Sequence, residues 1–147
     1  MRIIPTLFAL ALAAGVLPLT GHAADSTSVH ALLISASNQK GGSDPKLSGY
    51  ESTLRRNLPF DTFRLTGEGS TAIASGGRSS VALGRGHRLE LQSEKGGGSG
   101  IRLKVQWMDG NKVVMNTTLT LQPGVPAVLG RRGGDEREVP VVLVIAR

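Results

Sequence analysis

Apolar and polar positions alternate most cleanly between residues 101 and 121. Ile101, Leu103, Val105 and Trp107 fall on one face of an extended chain, and Arg102, Lys104 and Gln106 fall on the other. The pattern resumes with Val113, Met115, Thr117, Leu119 and Leu121 on one face, and Val114, Asn116, Thr118 and Thr120 on the other. These are two half-buried strands of a hairpin. Facing residues of a sheet share a side, so the apolar sets match only if paired residue numbers sum to an even value. That rule predicts Trp107 opposite Val113, Val105 opposite Met115, and a three-residue loop Asp109-Gly110-Asn111 with Gly110 or Asn111 left-handed.

Two other runs lack alternation. Residues 29–36 (Val-His-Ala-Leu-Leu-Ile-Ser-Ala) and 139–146 (Val-Pro-Val-Val-Leu-Val-Ile-Ala) are apolar on both sides, as strands covered on both faces are. They are expected side by side at the centre of the fold. One covering layer is a helix: Asp44 is a suitable N-cap, Pro45 suits the first helical position, and Leu47, Tyr50, Leu54 and Leu58 form an apolar stripe. Pro59 forces extended backbone on its predecessor, so the helix is expected from Pro45 to Asn57, with Gly49 a weak point inside it.

The opposite layer comes from the alternating segments between residues 62 and 121. Thr62 to Thr66 alternates around Phe63 and Leu65, and a short weak strand lies near residues 71–74 between glycine-rich turns at 67–70 and 75–78. Segments 80–83 and 87–93 read as strand pieces, and Gly84-Arg85-Gly86 between them reads as a bulge or sharp bend. Lys95-Gly96-Gly97-Gly98-Ser99-Gly100 is a hairpin loop by composition, with Leu91 expected opposite Leu103 and Glu90 opposite Lys104. After a break at 123–126, a short extended piece ends at Gly130, and the charge-balanced stretch 131–138 reads as a solvated hairpin tip. The expected fold is therefore mainly β (α+β): an antiparallel β-sandwich or roll of about six to eight strands with one docked α-helix.

The first residues change the picture of where this fold works. Arg2 precedes an almost wholly apolar run from Ile3 to Leu19, and Gly21-His22-Ala23-Ala24 offers small residues for cleavage. This predicts a secretory signal peptide over residues 1–24, cleaved after Ala23 or Ala24, followed by a single β-rich domain over 25–147. The run falls just short of the ~20 apolar residues of a spanning helix, so no membrane span is expected after cleavage. There is no cysteine. That removes disulfides and a lipid anchor, and favours a bacterial envelope, periplasmic or secreted, over a eukaryotic extracellular setting.

Candidate chemistry is sparse. The chain carries a net charge of +6, mildly basic and compatible with loose attraction to anionic surfaces. Beyond the leader the histidines are His30 and His87, with no spacing that suits zinc; no metal or cofactor is expected. No Gly-x-Ser-x-Gly elbow occurs, and the glycine stretches lack the Gly-Lys-Ser/Thr ending of a phosphate loop, so no catalytic residue is assigned. Tyr50, Phe60, Phe63 and Trp107 are too few, and too often on core faces, for a stacking platform for sugars or nucleic acid. The one candidate site is a basic strand face of Arg85, His87, Arg88, Arg102 and Lys104, which suits anionic glycans or lipid headgroups. The expected function is a non-enzymatic envelope protein, a small interaction or structural module whose partner is another envelope protein. An anion-binding role is the alternative, and nucleic acid is not an expected partner.

Overall fold

A computed structural model describes residues 26–94, 100–130 and 137–147. Eight strands form two four-stranded antiparallel sheets. In chain order they are β1 (Ser26–Ser37), β2 (Thr62–Ala74), β3 (Arg78–Gly84), β4 (His87–Ser93), β5 (Ile101–Asp109), β6 (Lys112–Leu121), β7 (Ala127–Gly130) and β8 (Glu138–Ala146). The first sheet has the order β2-β1-β8-β7 and the second β3-β4-β5-β6. The expected sandwich with one helix is what the chain forms. The signal segment, the loop at 95–99 and most of the tip at 131–138 lie outside the described residues.

The two runs without alternation are β1 and β8, paired along Val29↔Ala146 to Ser37↔Glu138 at the middle of the first sheet. Both of their faces are covered. Val29, Ala31 and Leu33 with Val142, Val144 and Ala146 point towards the second sheet and meet Leu89, Leu91, Leu103, Val105 and the fully buried Trp107. Leu32, Ile34 and Ala36 with Val141, Leu143 and Ile145 point the other way and meet Leu47, Leu54 and Phe63. Each fully buried leucine at that helical layer contributes about 1.5–3 kcal/mol relative to exposure.

The helical layer is broken where glycine weakened it. Asp44 caps as expected, its Oδ1 accepting from the Lys46 N–H at 3.0 Å, but the first turn is a 3-10 helix, Pro45–Leu47. The α-helix α1 spans only Glu51–Asn57. Ser48, Gly49 and Tyr50 form a turn between the two pieces, so the continuous helix expected from Pro45 to Asn57 is corrected to two short ones. Leu58, before Pro59, is extended (φ −128°, ψ 138°).

Four further expectations are corrected. The glycine-rich segment 67–70 is no turn: β2 runs straight through it for 13 residues, bulged at Thr66, whose hydroxyl donates to the Leu33 carbonyl at 3.1 Å. The glycines serve close approach instead. A Cβ on Gly67 would stand 1.8 Å from the Leu83 carbonyl oxygen, and one on Gly69 2.6 Å from that of Ala82, so β3 can cross over β2 and close one corner of the sandwich. Gly84-Arg85-Gly86 is a full reversal, with Arg85 (φ 53°) and Gly86 (φ 80°) both left-handed as a type I′ turn requires.

The hairpin of β5 and β6 keeps the even-sum parity but reaches it differently. Gly110 (φ 59°) and Asn111 make a two-residue turn, Asp109 faces Lys112, and a bulge between Trp107 and Met108 then restores the parity, giving Trp107↔Met115 and Leu103↔Leu119. Val113 falls outward, 44% exposed, and Val114 packs on the core in its place. The β4–β5 register likewise has the expected parity and slides by one pair: Leu91 faces Val105, and Lys104 faces Gln92 rather than Glu90.

Candidate functional site

Among the described residues, the two sheets differ in what covers their outer faces. The helical layer packs on the first sheet. The second sheet buries Leu89, Leu91, Leu103, Val105 and Trp107 on its inner side, while its outer side, of the opposite parity, is mainly polar. Three complete rungs cross that outer side through all four strands. Ala82-Arg88-Met108-Val113, beside the turns, is largely apolar; the two polar rungs are Arg78-Gln92-Lys104-Thr118 and Ser80-Glu90-Gln106-Asn116. Together the polar rungs line a trough of about 720 Å³, within the ~300–1,000 Å³ usual for ligand sites.

The chemistry of the trough is that of neutral hydrogen bonding with a charge at intervals. Gln92 and Gln106 are half-buried at its centre, and Ser80, Asn116 and Thr118 are exposed around them. Among the described residues no hydrogen bond within the protein occupies any of these five side chains. Their amide and hydroxyl groups can therefore be offered outward as both donors and acceptors. The charges are largely spoken for. Glu90 pairs with Arg88 at 3.2 Å, and Lys104 pairs with Glu94 at 3.5 Å; all four groups are partly solvated, so the pairs set geometry more than they add stability. No aromatic ring lines the trough.

The five residues of the expected basic face do not come together as one patch. Arg85 sits in the β3–β4 turn, and Arg88 lies on the outer face beside it, opposite Met108. Lys104 and Arg102 are four and six residues further along β5, about 13 and 20 Å away at strand rise. Both reach the same carboxylate, Glu94, at 3.5 and 3.1 Å. His87 is a correction: it shares the parity of Leu89 and Leu91, and its Nδ1 accepts from the Nε1–H of Trp107 at 3.0 Å. Its half-buried ring therefore turns to the core side of β4 rather than joining a surface site.

His30 is no partner for it. That residue lies on the helical side of β1, half-buried, with Nε2 3.4 Å from the Glu68 carboxylate. Among the described residues no three His, Asp or Glu side chains gather as a metal site would require, and no helix is long and apolar enough to cross a membrane.

The central trough residues carry no charge, and in the sequence only their parity marks them. Gln92, Gln106, Asn116 and Thr118 already alternate outward in the letters. Which of them share a rung depends on a register displaced by two residues from the expected one. No protein-family model, no curated protein and no solved structure matches the chain.

Proposed function

We propose that the protein is an exported, non-enzymatic interaction module of a bacterial envelope, and that it works by contact through the outer face of the β3–β6 sheet. The observation that carries this reading is the pair of polar rungs and the trough they line, on the one broad sheet face that no described element covers. A partner there is met by uncommitted amides and hydroxyls, which suit polar groups of another envelope protein. The export and the compartment rest on the signal-like leader and the absence of cysteine.

An anionic surface polymer is the second reading. Arg78 and Lys104 flanking Gln92 on a single rung favour it; the pairing of Lys104 and Arg102 with Glu94 weighs against it. Capture from an envelope fraction on the immobilised protein tests the contact surface. Gln92→Ala/Gln106→Ala should abolish capture of the partner while leaving the unfolding temperature unchanged, and Arg56→Ala on the helix should leave both as in the parent. Equal capture by the parent and the trough variant would contradict the contact surface. Loss of captured material on raising salt, with that material being polysaccharide or lipid, would favour the second reading over the first.

A further inference from the structure

Among the described residues the sandwich closes at one side and stays open at the other. Where β2 and β3 meet, the Gly67 and Gly69 crossings and a hydroxyl bond between Thr71 and Ser79 bring the sheets together. On the far side the edges are β7 and β6. Strand β7 is only four residues long, with Pro126 just before it, which is how edges are usually blunted. Strand β6 has ten residues, no proline or glycine, and a single charge at its first position, Lys112. Among the described residues no backbone hydrogen bond reaches it from any element but β5. The incompletely covered members of the inter-sheet core, Ile101, Val114, Met115, Leu119 and Ala127, all lie on β5, β6 or β7, at this open side.

We infer that β6 is a dimer edge and that its partner is β6 of a second copy of this chain. A two-fold axis perpendicular to the sheet makes the two strands antiparallel and keeps every side chain on its own face, so outer residues meet outer residues. Beyond the bulge at Val114 the regular stretch is 115–121, with Thr118 at its centre. Pairing the whole stretch about Thr118 sets Met115 opposite Leu121 and Thr117 opposite Leu119 on the core side. On the outer side it sets Asn116 opposite Thr120 and Thr118 opposite its own copy.

The strand is complementary to itself in this register. Met115 meets Leu121 as one apolar side chain meets another, Thr118 meets its own copy, and Asn116 meets Thr120 as amide and hydroxyl; Thr117 beside Leu119 is the one mixed pair, and no charge opposes a like charge because the stretch contains none. The pairing is closed by its two-fold, since each copy's β6 edge is spent on that of the other. It also makes one eight-stranded sheet in which both troughs open on the same side. Asn116 and Thr118 of each copy then form the seam between the two troughs. The dimer stands independently of what the trough binds.

Charge placed at the exposed positions 116 and 120 tests the register without touching the core. Sedimentation or light scattering of the purified protein is expected to show a dimer at micromolar to millimolar concentration. Asn116→Glu/Thr120→Glu opposes acid to acid twice across the two-fold and should weaken the dimer on the order of tenfold or more. Asn116→Lys/Thr120→Glu opposes base to acid twice and should dimerise at least as tightly as the parent. Both variants carry Thr120→Glu, which sets a carboxylate across from Arg102 within the monomer, so that pair favours folding alike in the two. A parent that stays monomeric throughout overturns the inference. So does a doubly acidic variant that dimerises like the parent, or an Asn116→Lys/Thr120→Glu variant that behaves like the doubly acidic one.

Discussion

Trp107 shows how much of this protein turns on single contacts. It is the only tryptophan, fully buried, and the His87 Nδ1 is the acceptor for its indole N–H. Removing that acceptor without removing the indole strands a buried donor, at a cost of about 1–3 kcal/mol. His87→Leu should therefore lower stability by that amount in denaturant titrations followed by Trp107 fluorescence, whereas His87→Gln, which retains an acceptor, should lose less. Equal losses for the two variants would mean that ring packing, not the hydrogen bond, is what His87 contributes. At this scale parity outweighs the charge of sequence neighbours. A histidine between glycine and arginine suggested a basic surface, but parity alone puts position 87 with Leu89 and Leu91, on the buried side.

At the scale of elements, the letters specify faces well and connections less well. The two central strands, the inward leucines of β4 and the even-sum hairpin parity all follow from alternation or its absence, because covering a face with apolar neighbours is what produces those patterns. Bulges and crossings leave no such trace. The bulge that turns Val113 outward depends on the two-residue turn at Gly110 and Asn111, and the long β2 depends on β3 lying across it. Glycine is ambiguous in sequence for the same reason: it suits a turn, and it suits a strand that another backbone must approach.

Gly67→Ala separates those two roles. Its new methyl would meet the Leu83 carbonyl at 1.8 Å, so the β2–β3 corner must open, and a loss of about 3 kcal/mol or more is expected at the upper end of overpacking costs. Gly49→Ala, with nothing within 4 Å of its added Cβ, should leave the melting temperature unchanged or slightly raised. Thermal unfolding of the two variants reads the contrast, and a Gly67→Ala protein as stable as the parent would show that the corner is not the close crossing described here.

For the whole molecule, the division of labour lies between sheets. The first, whose central strands β1 and β8 are buried on both faces, holds the fold together; the second keeps one face for the core and turns the other, mainly polar and troughed, outward. The candidate site was legible only in part, since outward parity was readable for Gln92, Gln106, Asn116 and Thr118 while their assembly into rungs required the true register. An open β6 edge beside the same trough adds a second copy as a neighbour. The central claim is that contact is made through this face. Photo-crosslinking side chains placed singly at positions 92, 106 and 56, in cells that express the full chain, test it most directly. The account predicts a discrete crosslinked product from 92 and 106 and none from 56 on the helix; products from 56 alone would contradict it.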